Sequence, residues 1–573
     1  MARKINYDEW SKEELIKELR RIKETTYGLV WHRDLPEEKI DILINPDART
    51  PNEMFPNEMA GKPFPVLKEV KSKAIESDKS KLVNLLIEGD NYHSLAVLNF
   101  THRETVDLIY IDPPYNTGNK DFIYNDKFVD KEDSFRHSKW LSFMEKRLKL
   151  SKNLLTKNGV IFISIDDNEQ APLRMLCDEI FGTENFVAQL IWKKKYTGGK
   201  HAGQYVDLHE YILVYAKNRE EIGDVMMDRP DQEKGKFTEV DEYVKTRGKY
   251  YIRPLKSNLE ERRTLVYPIK TPDGKEVITQ WLVGEDTFEN LVKDGRIEFR
   301  KKRNGEYQIH KKYYENDGEG KVKVPSLILE FPNTEAKAEL KEIFNIEEGR
   351  DNVFYTVKPV NLIKYLLKPF ALKDVTVLDF FAGSGTTGQA VLELNKEDGG
   401  HRNFILCTND EEIDSNGNAI KHRICSDVCY PRIKKVISGY KNQKGEKVDG
   451  LGGNLKYYKT DFVEAEPTDK NKRKLVKEST DMLCILENAF ELVQETKEFK
   501  IFKNTDKYLG VIFYDEAIDD YKKAIKKIDG HFNTYVFSMN DDPHTKKFAD
   551  IKDSVTLCAI PEVILKVYRE IFK

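Results

Sequence analysis

Four consecutive residues, Asp112-Pro113-Pro114-Tyr115, set a carboxylate, two prolines and a phenol ring side by side. The stretch before them, Val106 to Ile111, is apolar apart from Asp107 and reads as a buried strand. Proline cannot continue such a strand and fixes the backbone at its exit. The acid, the Pro113 carbonyl and the Tyr115 ring are therefore expected together at a strand's C-terminal tip. That edge is where open α/β sheets hold their ligands. The set suits chemistry at an exocyclic amino group: oxygen acceptors orient the N–H bonds while the ring stacks on the heterocycle.

A second stretch, Val375 to Gly388, reads strand, Gly-rich turn, helix. Its turn is Asp379-Phe380-Phe381-Ala382-Gly383-Ser384-Gly385-Thr386-Thr387. Gly383 and Gly385 permit a sharp turn and close approach of the backbone to a ligand. No Gly-Lys-Ser/Thr follows, so this is not a P-loop, and the spacing falls short of a dinucleotide fingerprint. Two other strand tips fall on the same edge. Leu85 to Glu88 ends in Gly89-Asp90, where Asp90 is either the cap of the next helix or an acceptor for a cofactor amino group. Phe404 to Thr408 is followed by Asn409, Asp410 and Glu411, the position that binds ribose hydroxyls in such folds.

Asp-Pro-Pro-Tyr resembles the catalytic motif of amino-methyltransferases that modify N6 of adenine in DNA. Phe381-x-Gly383-x-Gly385-Thr386-Thr387 resembles the S-adenosyl-L-methionine motif of methyltransferases. The catalytic motif comes first, which is the permuted order of the beta group. Longer matches, Leu86 to Tyr92, Asp112 to Gly118, Phe404 to Asn409 and Tyr430 to Val436, look like the modification subunit of type III restriction-modification systems. The resemblance covers most of the chain and is weakest over 220–350. It implies a Rossmann-like methyltransferase sheet and transfer to a flipped-out adenine in double-stranded DNA. Asp112, Pro113, Pro114 and Tyr115 would be catalytic. Asp90, Asp379, Phe381, Ala382, Gly383, Ser384, Gly385, Thr386, Asn409, Asp410 and Glu411 would bind the cofactor, with Lys358 and Pro359 at its methionine end. It further implies a homodimer, a separate restriction (helicase-nuclease) subunit, and no metal. Asp at the first motif position suits adenine; cytosine-N4 enzymes more often carry Ser there. One departure is a polar insert between Asp410 and Lys421, which leaves the ribose contact open. A stand-alone or type II amino-methyltransferase, a specificity subunit without turnover, and an RNA or protein methyltransferase are the competing readings.

The elements that must position these groups follow from the pattern. Strands alternate with amphipathic helices at Tyr92 to Phe100, Trp140 to Leu155 and Ala171 to Phe181, which argues a mostly parallel sheet. Further strands are expected at Val160 to Ile165, Phe186 to Trp192 and Tyr211 to Tyr215. Residues 81–219 would form the catalytic half of the core and 350–464 its cofactor-binding half. Between them, 220–349 loses the βα rhythm and interleaves basic with aromatic residues, as a target-recognition domain would. Arg247, Arg253, Arg262, Arg263, Arg300 and Arg303 are its candidate DNA contacts. In the core, Asn116 and Phe122 join them; Phe122 reads equally as a core anchor. So does the basic loop with Lys193, Lys194, Lys195, Tyr196 and Lys200, either solvated or ordered by phosphates. Residues 1–80 are charged and expected to be mostly helical, with a capping-box pattern at Ser11 and Glu14. An α+β segment, 465–573, is expected to serve dimerisation or partner docking.

At 573 residues, with 34% charged and a net charge of −4, the chain can hold several domains, and any basic surface must be local. No stretch approaches the ~18 consecutive apolar residues of a membrane span. The charged N-terminus does not resemble a signal peptide, and six cysteines in so long a chain do not make a disulfide framework. A cytoplasmic protein is expected. Cys407, Cys425 and Cys429, near His401 and His422, fit no standard zinc spacing.

Overall fold

The computed structural model describes residues 11–16, 31, 63–77, 81–118, 122–124, 127–197, 204–229, 235–258, 260, 262–318, 321–347, 353–354, 356–370, 373–414, 421–464, 466–504, 507–538, 544–560, 564 and 568. These fall into two compact units, one drawn from Met1–Gly223 and Pro325–Lys573, the other from Asp224–Val324.

A ten-stranded sheet carries the first unit. Its strands in chain order are β1 (Phe64–Glu69), β2 (Val83–Glu88), β3 (Val106–Ile111), β4 (Leu155–Ile165) and β5 (Phe186–Lys193). There follow β6 (His209–Ala216), β7 (Leu327–Ile328), β8 (Thr376–Asp379), β9 (Asn403–Thr408) and β10 (Asn454–Val463). Across the sheet the order is β1-β10-β2-β9-β8-β3-β4-β6-β5-β7. All neighbours from β10 to β4 pair in parallel. β1 pairs antiparallel with β10, and β6 pairs antiparallel with both β4 and β5.

Helices cover both faces, which is why the central strands read as continuous apolar runs. On one face Ile109 and Ile111 join a core with α1 (Asn91–Thr101), α2 (Arg136–Leu154) and α3 (Gln170–Phe181). On the other, Leu108 and Tyr110 pack with α4 (Asn333–Phe344), α5 (Val360–Leu367), α6 (Thr386–Asp398) and α7 (Tyr430–Ser438). The late segments β8 and β9 thus insert between β2 and β3, and the permuted chain closes into one α/β sheet. The parallel strands β2, β9, β8, β3 and β4 all end at one edge. β6 runs the other way, so its beginning lies at that same edge.

Several boundaries differ from the sequence reading. Phe64–Glu69, inside the stretch expected to be helical, is an edge strand, formed because β10 offers it an antiparallel partner. The Ser11 capping box is present: the Glu14 amide donates to Ser11 Oγ at 3.2 Å and the Ser11 amide to Glu14 Oε2 at 2.7 Å. Residues 325–347 belong to the first unit, packing there through β7 and α4. Within 465–573, a five-stranded sheet runs Glu491–Glu495, Phe499–Lys503, Tyr508–Ile512, Phe532–Val536 and Val555–Cys558, antiparallel at first and parallel after. Leu509, Val511 and Tyr535 share a core with Leu475 and Leu483. No helix among the described residues is long and apolar enough to cross a membrane.

The second unit holds a three-stranded antiparallel sheet, Tyr250–Pro254, Tyr307–Tyr314 and Ile297–Lys301. A hairpin, Val266–Lys270 with Glu276–Gln280, turns at Pro272-Asp273-Gly274 as its turn residues dictate. Leu255, Tyr267, Ile269, Trp281 and Ile309 form its core.

Candidate active site

Asp112 leaves β3 at the ligand edge, and the two prolines hold the chain there. The Trp140 indole donates to the Pro114 carbonyl at 2.7 Å and pins the exit to α2. The Pro113 carbonyl accepts nothing from the described residues. Around the Asp112 carboxylate the donors are dense. Lys358 Nζ reaches its two oxygens at 2.8 and 2.9 Å, and the Tyr115 hydroxyl donates at 2.8 Å. Glu210, the second residue of β6, completes the cluster: its Oε2 lies 3.1 Å from the Tyr115 hydroxyl and 3.3 Å from Lys358 Nζ. Lys194 faces Glu210 Oε1 at 3.4 Å.

Two acids and two ammonium groups therefore share one buried site. Burial pushes the Asp112 carboxyl up; Lys358 works against this and Glu210 with it, and the balance is upward. Burial alone would lower the Lys358 ammonium, but Asp112 and Glu210 hold it above its ordinary value. The Tyr115 phenol is driven far up by burial and the two carboxylates, so it acts as a neutral donor.

The second motif lies one strand away. β8 is the direct parallel neighbour of β3, with Leu378 opposite Ile109. After it the chain turns through Gly383 (φ +50°) and Gly385 (φ +80°), left-handed positions that favour glycine. Asp379 is fully buried under this turn and accepts from the Phe381 amide at 3.0 Å and Thr387 Oγ1 at 2.5 Å. Burial raises its carboxyl to about 7 against those two hydrogen bonds. Asp379 thus props the turn from below. Ser384 and Thr386, expected at the cofactor, turn their hydroxyls inward: Arg432 of α7 donates to them at 3.0 and 2.9 Å. Arg432 was not legible as a partner, since nothing in its own helix points to the turn.

At the β2 tip, Asp90 is the cap of α1, accepting from the Tyr92 amide at 2.7 Å, and it faces Arg147 at 3.4 Å. Arg147 also donates to Asn91 Oδ1 at 2.6 Å, and Asn91 donates to the Phe380 carbonyl at 2.8 Å. The first strand tip is thereby tied to the Gly turn. After β9, Asp410 is spent on capping a π-helical turn, Ile424–Cys429, through Ser426 N at 2.7 Å. Glu411 keeps its carboxylate at the edge; burial raises it, Asn409 lowers it, and Asp90 is near enough to raise it further. Of the two acids among the three candidates for the ribose, Asp410 is held by Ser426, while Glu411 is exposed and takes a side-chain hydrogen bond from the neighbouring Asn409. The carboxylates of Asp90 and Glu411 are near enough to feel each other, and as acceptors they suit a cationic, adenosine-bearing cofactor; the Phe381 ring packs on Phe380 and Phe143 at 5.3 and 5.9 Å.

The candidate DNA contacts divide. Asn116 is fully buried, left-handed at φ +57°, and donates to Glu169 Oε1 at 2.6 Å. Phe122 is buried edge-on to Phe143 at 5.2 Å, so it is a core anchor. Lys194 is committed to Asp207 and Glu210. Lys193 sits over the Tyr196 ring at 4.9 Å, and Lys195 and Tyr196 face solvent. Lys200 lies outside the described residues. In the second unit Arg247 pairs with Asp294, and Arg300 with Glu298 and Glu239. Arg253, Arg262, Arg263 and Arg303 are exposed and make no ion pair with a described residue. Arg253 stands over Tyr251 and Tyr313, whose rings stack at 5.3 Å. Glu210 is the residue that sequence reasoning missed; its only signal is a glutamate at the head of an otherwise apolar strand.

A DNA methylase family profile matches residues 106–417. The chain is 35% identical over 404 residues to the type III restriction-modification enzyme StyLTI Mod subunit of Salmonella typhimurium, covering 66% of this chain and 60% of that one. It is 35% identical over 438 residues to the EcoPI Mod subunit of Escherichia phage P1, covering 65% of each. It is 31% identical to the type II methyltransferase M.KpnI of Klebsiella pneumoniae, covering 63% of this chain and 89% of that one. The chain thus spans about 60 to 65% of the length of these two type III relatives.

Proposed function

The chain belongs to the DNA methylase family, and from that premise we propose that it methylates N6 of adenine at specific sites in double-stranded DNA with S-adenosyl-L-methionine as donor. In this reading it is the modification and recognition subunit of a type III restriction-modification system, acts in the cytoplasm, dimerises through 465–573, and works beside a separate restriction subunit. The observation that carries the chemistry is the placement of Asp112-Pro113-Pro114-Tyr115 and the Gly383 turn at the same edge of adjacent parallel strands. The relatives named as type III Mod subunits support the system.

Bound at the Gly383 turn, S-adenosyl-L-methionine supplies an electrophilic methyl group and departs as a neutral thioether. Asp90, Glu411, Phe381 and the turn backbone would hold it, with Asp379 beneath them as the prop of the turn. Adenine N6 is a poor nucleophile because its lone pair is delocalised into the ring. Hydrogen bonds from its two protons to Asp112 and to the Pro113 carbonyl draw the lone pair back to nitrogen and aim it at the methyl carbon. As the N–C bond forms, one N6 proton becomes acidic, and the Asp112 carboxylate is placed to take it. Positioning supplies most of the acceleration. Tyr115 stacks on the flipped base, and the second unit, with its exposed Arg253, Arg262, Arg263 and Arg303, reads the site.

The test is modification-sensitive long-read sequencing of DNA from a methylation-free host expressing this chain. Asp112→Ala and Tyr115→Ala should each lower turnover by at least about a thousandfold while retaining cofactor binding. N6-methyladenine on one strand of a short asymmetric site, absent from both variants, is the expected result. Equal methylation by the variants would sink the assignment. The type II reading is favoured by the share of M.KpnI that the chain spans; methylation on both strands of a palindrome would decide for it.

A further inference from the structure

Resting on that reading, we propose that Glu210 is the positioning residue that draws the Lys358 ammonium off Asp112 when the target amino group enters. As the cluster stands, Lys358 donates to both Asp112 oxygens and Tyr115 to one of them, so three of the carboxylate's roughly four lone-pair positions are filled before the substrate arrives. A lysine in direct contact with the catalytic carboxylate competes with N6 for the same lone pairs. It cannot retreat to solvent, because its side chain is only 9% exposed. A second carboxylate must receive it. Glu210 is equally enclosed, and its Oε2 already lies 3.3 Å from Lys358 Nζ. A small swing of the ammonium tightens this existing ion pair without breaking the cluster.

The Tyr115 hydroxyl shows the same division. It has one proton and two carboxylates within reach, Asp112 at 2.8 Å and Glu210 at 3.1 Å. Both donors on Asp112 thus have Glu210 as an alternative partner. Glu210 can be there because β6 runs antiparallel to β4, with Tyr211 opposite Ile165, which brings the head of β6 to the tips of the parallel strands. Its charge is balanced at the other carboxylate oxygen by Lys194, 3.4 Å from Oε1. Burying a second acid beside the catalytic one is costly unless its pairing is complete. Here it pairs with both lysines and with the phenol.

Glu210→Gln keeps the shape and removes the charge that attracts Lys358. The variant should lose between about tenfold and hundredfold in kcat, the range set by a charge-assisted hydrogen bond, with KM for DNA and for cofactor little changed. Lys358→Met added to Glu210→Gln should then recover at least about fivefold of that loss, because the competitor is gone. Glu210→Asp, which keeps the charge, should hold kcat within about threefold of wild type and serves if the Gln variant fails to fold. A structural role for Glu210 would give no recovery in the double variant. Unchanged kcat in Glu210→Gln, a double variant no faster than the single one, or an Asp variant as slow as the Gln variant would each overturn the proposal while wild-type methylation left the enzyme assignment standing. An inactive wild type would overturn both.

Discussion

At the residue scale the site is a set of buried charges that hold one another. Asp379 is the member whose protonation stability measurements can read. Its carboxyl titrates at about 7 in the fold against an ordinary value of 3.8, because burial outweighs its two hydrogen bonds. The native state therefore binds this proton more tightly than the unfolded chain. The stabilisation it confers is complete below about pH 4 and is lost as pH rises through about 7. Asp379→Asn removes this titration. The difference in Tm between variant and wild type should move by at least about 2 °C in the variant's favour between pH 4 and pH 8. A gap that stays constant across that range would mean that Asp379 titrates normally in the fold. The contiguous groups of the site, Asp112 to Tyr115 and Phe381 to Thr387, were legible in the sequence because a motif is local. Their partners were not. Glu210, Arg432 and Arg147 come from distant segments, and each looks ordinary in its own neighbourhood. Ser384 and Thr386 stand in the right turn but face Arg432, a fact that only the third dimension holds.

At the element scale, the parallel pairing of β8 with β3 places the two motifs on one edge, and α6, which follows the Gly turn, is seated closely against β9 and α7. Gly388 marks the tightest point. A Cβ there would lie 2.7 Å from Ile433 Cδ1 and 3.0 Å from Leu406 Cδ1. Both obstacles are methyl ends of core side chains with little room to move. Gly388→Val should cost about 1–3 kcal/mol by overpacking, visible as a lower Tm. Gly399, at the far end of the same helix, is left-handed at φ +68° with nothing within 4 Å of its Cβ position. Gly399→Asn should be nearly neutral, since Asn tolerates that conformation at a helix end. Equal losses at both sites would mean that packing is not what fixes α6. The central strand β3 matches its sequence reading residue for residue, because a run buried on both faces between turn signals has little freedom. Edges were harder. β1 is built from a short apolar stretch in a charged, Pro-rich context, and only the unpaired side of β10 makes it a strand. β4 begins at Leu155, before the apolar run at Val160, because the polar start of the strand carries no alternation to read.

At the scale of the whole molecule, recognition and chemistry are separable if the second unit is an insertion with its own core. Two observations argue that it is. Leu255, Tyr267, Ile269, Trp281 and Ile309 form a core drawn only from that unit. Its incoming segment Met226–Asp228 pairs antiparallel with its outgoing segment Lys321–Lys323, so the chain leaves the unit beside the point where it enters. Neighbouring strands lie about 5 Å apart, a gap that a few residues close at little entropic cost. Replacing 224–324 by a short Gly-Ser linker should therefore leave a protein that melts cooperatively and still binds S-adenosyl-L-methionine. It should lose site-specific DNA binding and methylation together. The unit's 22 basic and 20 acidic residues nearly cancel, so in the proposed reading a grip on DNA would come from the exposed arginines placed on it rather than from bulk charge. Site-specific methylation that survived the deletion would move recognition into the first unit. A truncated chain that no longer melted cooperatively would mean that the sheet, although closed by its own ten strands, needs the insertion to hold β6 and β7 in place.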